Sequence, residues 1–149
     1  MQPMNQYELQ AKVDGRLKVI RIMWLGLFIS VGLYYLLTVL TGKPKDVTPN
    51  ATLSIALTAA AMMLVAISIP IKWKYLTQSV DQQRTDLVNT GYIVALALCE
   101  AAALFALLDH FLTGDRYYFV LFIIAGCGYS FHFPRRQHLL DACFKGPMF

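Results

Sequence analysis

Glu100 stands in the middle of ALALCEAAALFALL, residues 95–108, where every neighbour is Ala, Leu, Phe or Cys. A carboxyl in such surroundings has three chemistries open to it. It can bind and release a proton or a small cation, because ionisable groups inside a membrane mark ion pathways. As a neutral acid, it can hydrogen-bond across a helix interface. It can also pair with a basic residue of another membrane chain. The oxygen-bearing residues placed to reach it are Ser30 in one segment and Tyr129 and Ser130 in another. No Lys, Arg or His falls at the same depth. Desolvation without a counter-ion favours the protonated acid, so Glu100 is expected to be neutral in the isolated chain.

The other reactive groups form no catalytic pattern. Asp109, His110 and Asp115 cluster at one end of the same segment, where a solvated helix end is the expectation. His132, Arg135, Arg136 and His138 make a basic patch that topology alone explains. Cys99, Cys127 and Cys143 match no zinc spacing and suggest small apolar fillers rather than disulfides. His110 and His132 fall near opposite surfaces, which argues against a haem held between them. There is no phosphate-binding glycine loop, no Ser/His/Asp arrangement and no pair of carboxylates at catalytic spacing. No enzyme activity, cofactor or metal is expected.

The elements that must carry Glu100 are set by composition. The chain has 149 residues, 57% of them hydrophobic and 15% charged. Soluble domains carry about 25% charged residues. Soluble-enzyme and nucleic-acid readings are excluded on that ground, and the lipid bilayer is the first expected partner. Apolar stretches run over 19–41, 51–71, 91–112 and 117–133. A helix crosses a bilayer with about 20 such residues. The expected fold is all-α: a single polytopic membrane domain, 1–149, of four transmembrane helices in an up-down antiparallel arrangement. The segment 1–18 and the tail 134–149 lie outside the membrane. Within the tail, 139–144 is expected as a short surface helix. The apolar core of the first stretch is too long for a signal peptide, so it is read as a retained helix.

Charge sets the orientation. Of the thirteen Lys and Arg, all but Lys43, Lys45 and Arg116 fall before the first stretch or just inside it, between the second and third, or after the fourth. That side is expected to be cytoplasmic, with both termini, in a bacterial inner membrane. The links 42–50 and 113–116 are short, which makes the third and fourth helices antiparallel neighbours. The link 72–90 lacks Gly and Pro and is expected to extend its flanking helices past the membrane surface. Pro70 marks a kink or exit in the second helix.

Packing follows from spacing. Gly91, Ala95, Cys99, Ala102, Ala103 and Ala106 recur at three- and four-residue steps and form a stripe of small side chains. On the fourth helix, Gly126 and Ser130 are four apart. Such stripes let membrane helices approach closely. Glu100 lies beside this stripe, about 14 Å beyond Gly91 at 1.5 Å per residue, near mid-bilayer.

ALALCEAAALFALL resembles the carboxylate-bearing helix of the proteolipid ring subunits of rotary ATPases. The resemblance implies a proton or sodium ion at Glu100. Those subunits repeat glycine at every second position of the packing helix. Here the first stretch has only Gly26 and Gly32, and the second has none. FLTGD at 111–115 and FPRRQHLL at 133–140, together with Glu100, resemble small uncharacterised bacterial four-span membrane proteins, a likeness that brings no activity with it. The leading expectation is a non-catalytic accessory or assembly subunit, partnered by other integral membrane subunits or by itself. The alternative is a proton- or sodium-binding or translocating membrane protein using mid-membrane Glu100.

Overall fold

A computed structural model describes residues 6–42, 50–114 and 117–144. Every regular element among them is a helix: α1 (Gln6–Thr41), α2 (Ala51–Asp81), α3 (Thr85–Thr113), α4 (Phe119–Phe131) and α5 (Arg136–Phe144). Helices α1, α2 and α3 are long and apolar enough to cross a membrane. In lipid each backbone N–H must be paired inside its own segment, which a helix does and an open strand cannot. With 13 residues, α4 is about 20 Å long, shorter than a hydrocarbon core of about 30 Å.

The long helices outrun the apolar stretches that nucleate them. α1 begins at Gln6, well before residue 19, and α2 passes through Pro70 and ends at Asp81. Pro70 therefore does not end the helix. Only Gln82, Gln83 and Arg84 separate α2 from α3. This turn is closed by Arg84 N–H donating to the Ser79 carbonyl at 3.0 Å and Gln83 N–H to the Val80 carbonyl at 3.3 Å. Gln83 sits in the left-handed region at φ +50°, where glycine is the usual occupant of this helix end. At the other end of α2, Asn50 Oδ1 caps the Leu53 N–H at 3.1 Å.

Helix α3 is the hub, touching α1, α2, α4 and α5, whereas among the described residues no Cα of α1 lies within 8 Å of one in α2. The α2–α3 seam is the tightest. A Cβ built on Gly91 would come within 2.8 Å of Tyr75 Cβ, so only glycine permits this approach. Ala95, Cys99, Ala102, Ala103 and Ala106 are all fully buried. On α4 the close approach is at Gly128, not Gly126. A Cβ on Gly128 would stand 2.8 Å from Cys99 Sγ and 3.1 Å from Val65, whereas one on Gly126 meets nothing within 4 Å. The helical phase explains the difference: Gly128 continues the buried face of Leu121 and Ala125, and Gly126 lies off it.

Two apolar cores stack along the bundle. One gathers Val31, Ala61, Leu96, Cys99, Leu121, Phe122 and Tyr129 around the small residues of α3. The other gathers Val13, Leu17, Ile20, Leu76, Val88 and Tyr92 against Leu139 and Ala142 of α5. Thus α5 is docked on the extended ends of α1, α2 and α3 rather than lying free. Large side chains such as Ile22, Leu33 and Leu40 of α1 and Met63 of α2 point outward, which suits a lipid environment.

Candidate functional site: a mid-helix carboxyl

Glu100 is half-buried at the junction of α1, α3 and α4. Ser30 Oγ lies 2.6 Å from its Oε1, and the Tyr129 hydroxyl donates to its Oε2 at 2.6 Å. The Tyr34 hydroxyl faces the same carboxyl and Ser30. Ser130 is not part of this group. It is exposed and donates to the Gly126 carbonyl at 3.0 Å, one turn back on its own helix. Cys127 is exposed as well.

Counting hydrogens shows what the geometry allows. Ser30 has one hydroxyl proton and two acceptors in reach, Glu100 Oε1 and the Leu27 carbonyl, each at 2.6 Å. With Glu100 ionised, Ser30 donates to Oε1. With Glu100 protonated, the acid donates to Ser30 Oγ, which turns its own proton to Leu27. Tyr129 donates to Oε2 in both states. Rotation of one hydroxyl therefore lets the site gain or lose a proton without leaving a buried donor unmet.

Three further interactions link the helices, one beside this site and two toward the α5 end. The Trp24 indole N–H donates to the Tyr129 carbonyl at 3.0 Å, linking α1 to α4. Arg16 donates to Thr85, and Arg136 pairs with Asp14 at 3.0 Å. The Arg136–Asp14 pair is largely solvent-exposed and adds little stability.

The two ends of the bundle are more buried than the sequence implies. Asp109 is fully buried, accepting from Ser54 at 3.1 Å and Thr113 at 2.8 Å. His110 is also buried and donates to the Gly42 carbonyl at 3.0 Å. A solvated helix end is thus incorrect for both: the end of α1 and the start of α2 close over them. Asp115 lies outside the described residues.

At the α5 end, the expected basic patch is split. His132 is fully buried, with Nε2 2.7 Å from Ser68 Oγ. His138 Nδ1 lies 2.7 Å from the Tyr92 hydroxyl. Arg136 engages Asp14, and Arg135 stays exposed. Lys72, which sequence reasoning assigned to the connecting loop, is buried on α2 and donates to the Phe131 carbonyl at 3.0 Å. Its signal was available: Ala61, Ser68, Lys72 and Ser79 recur at helical spacing on one face. Tyr34 was equally findable, one turn beyond Ser30.

Among the described residues, no three His, Cys, Asp or Glu side chains converge where they could hold a metal ion. No family model, curated protein or solved structure matches the chain.

Proposed function

We propose that this chain is a non-enzymatic, four-span helical protein of a bacterial inner membrane, with cytoplasmic termini, that reversibly binds a proton at Glu100. The observation that carries this reading is the pair of 2.6 Å contacts from Ser30 and Tyr129 to the two carboxyl oxygens. They support both protonation states without a cation. A proton fits this site better than sodium, because Tyr129 directs a donor at the carboxyl and Ser30 has only one proton to turn away. The fourth crossing in this reading is α4 with its aromatic flanks, and the short links on either side of α3 support an up-down order.

Translocation is not part of the proposal. Between Glu100 and Asp109, the buried positions of α3 are Ala102, Ala103 and Ala106, which relay no proton. The test is labelling of the reconstituted protein with a hydrophobic carbodiimide, which reacts with a protonated carboxyl. Labelling at Glu100 should fall as pH rises and be unaffected by sodium. Sodium protection at constant pH would sink the proton assignment, and a folded sample that never labels would sink the site.

A second reading, a non-catalytic accessory or assembly subunit, is favoured by α1. Along its apolar stretch that helix packs on α3 and α4, with α5 meeting only its N-terminal part, and it leaves most of its apolar surface outward. Native mass after gentle extraction separates the two. A defined hetero-complex supports the subunit, and a lone chain or homo-oligomer opposes it.

A further inference from the structure

A cavity of about 190 Å³ opens at the α5 end of the bundle, between α2 and the α4–α5 corner. Lys72, His132, Arg135 and His138 line one part of it, and Trp73, Phe131 and Phe133 line another. Among the described residues, no carboxylate lines this cavity. Lys72 is only 6% exposed, yet its ammonium makes a single hydrogen bond, to the Phe131 carbonyl, and otherwise faces the Tyr92 ring at 5.6 Å. Neither ion pair among the described residues involves Lys72 or Arg135. Arg135 stands close enough for the two charges to repel. Asp141 lines the neighbouring cavity, which Arg135 and His138 share, and accepts from Gln137 at 2.8 Å.

Drawing a lysine out of water beside an arginine is unfavourable unless an anion joins them. Lys72 keeps free N–H donors, and Arg135 adds a planar fork that suits phosphate oxygens. The apolar part of the lining says where that anion comes from. Trp73, Phe131 and Phe133 are 52%, 68% and 49% exposed and flank the opening. A soluble anion has no use for such a rim, whereas a lipid places its glycerol and acyl chains against it. Trp, Lys and Arg at one level are also what a headgroup layer favours.

We propose that this cavity binds the phosphate headgroup of an anionic phospholipid, held between Lys72 and Arg135. The experiment is native mass spectrometry of the full chain in detergent, titrated with phosphatidylglycerol or phosphatidylcholine of matched chains. The wild type should retain phosphatidylglycerol about tenfold more tightly, as expected for one or two charge-assisted contacts. Arg135→Gln, at an exposed position that leaves the packing alone, should remove most of that preference, as should Lys72→Met. Lys74→Gln deletes an exposed charge two residues from Lys72 and outside the cavity, and should change nothing. Equal retention of both lipids would overturn the proposal. So would an effect of K74Q equal to that of R135Q, which would mean general surface charge. Inorganic phosphate at millimolar concentration should not displace the lipid; displacement would reassign the cavity to a soluble anion.

Discussion

The Tyr129 hydroxyl and Glu100 Oε2 are 2.6 Å apart, and this bond joins α4 to α3 at the level where Ser30 joins α1 to α3. One carboxyl therefore fastens three helices. Without Glu100, the Tyr129 hydroxyl has only the Leu96 carbonyl at 3.4 Å, a much poorer bond.

Replacements at Glu100 should consequently fall into two classes. In Glu100→Gln, the amide N–H reaches Ser30 and the carbonyl oxygen accepts from Tyr129, reproducing the neutral acid. Thermal unfolding in detergent should shift little. Glu100→Ala removes both bonds and should cost about 1–2 kcal/mol, and Tyr129→Phe about 1 kcal/mol. Equal losses for E100Q and E100A would show that these hydrogen bonds do not hold the junction.

Glycine substitutions should separate the two candidate contacts on α4. Gly128→Ala drives a methyl into Cys99 and Val65, and Gly91→Ala drives one into Tyr75. Each should lower stability by about 1–3 kcal/mol, the usual cost of overpacking. Gly126→Ala meets open space and should be neutral or slightly stabilising. The same thermal assay reads all three.

The turn between α2 and α3 carries a correctable strain. Gln83 adopts φ +50° with its N–H and that of Arg84 both engaged. Gln83→Gly should raise stability by up to about 1 kcal/mol, because glycine occupies this region without the Cβ conflict. A drop in melting temperature would refute it.

The pH dependence should trace in part to His138. Burial, then the charges of Lys72 and Arg135, hold its imidazole below the ordinary value, and Asp141 opposes them. The folded chain thus resists a proton that the unfolded chain accepts near pH 6.5. The stability this histidine contributes is present above that pH and lost as pH falls through it toward the lower folded value. His138→Gln should flatten the decline between about pH 7 and pH 5. An unchanged slope would assign the decline to other groups.

Much of this was legible in the sequence, for definite reasons. Hydropathy located the apolar helices because lipid leaves the backbone no other option. The stripe from Gly91 to Ala106 has a helical period that survives any neighbour. Ser30 and Tyr129 were identifiable as reaching Glu100 because depth follows from counting residues. What failed depended on rotation and burial. Gly126 and Gly128 differ by two residues, about 200° of helix, and only the packed face distinguishes them. Lys72 falls on the expected extension of α2, but its burial shows only once α3 and α4 pack against that face. Asp109 looks solvated until other helices close over it, and no local pattern encodes that closure.

That the backbones of α1 and α2 lie apart bears on how the protein is made. A nascent chain delivers α1 before α2, and the backbone of α2 does not pack against it. The partners of Ser30 and Trp24 lie 70 and 105 residues downstream. At ordinary translation rates, Tyr129 emerges on the order of ten seconds after Trp24. Until α3 and then α4 emerge, α1 is without the bundle partners that Ser30 and Trp24 engage. Its hydroxyl and indole, unused until then, are what it has to recognise its own bundle among other membrane helices.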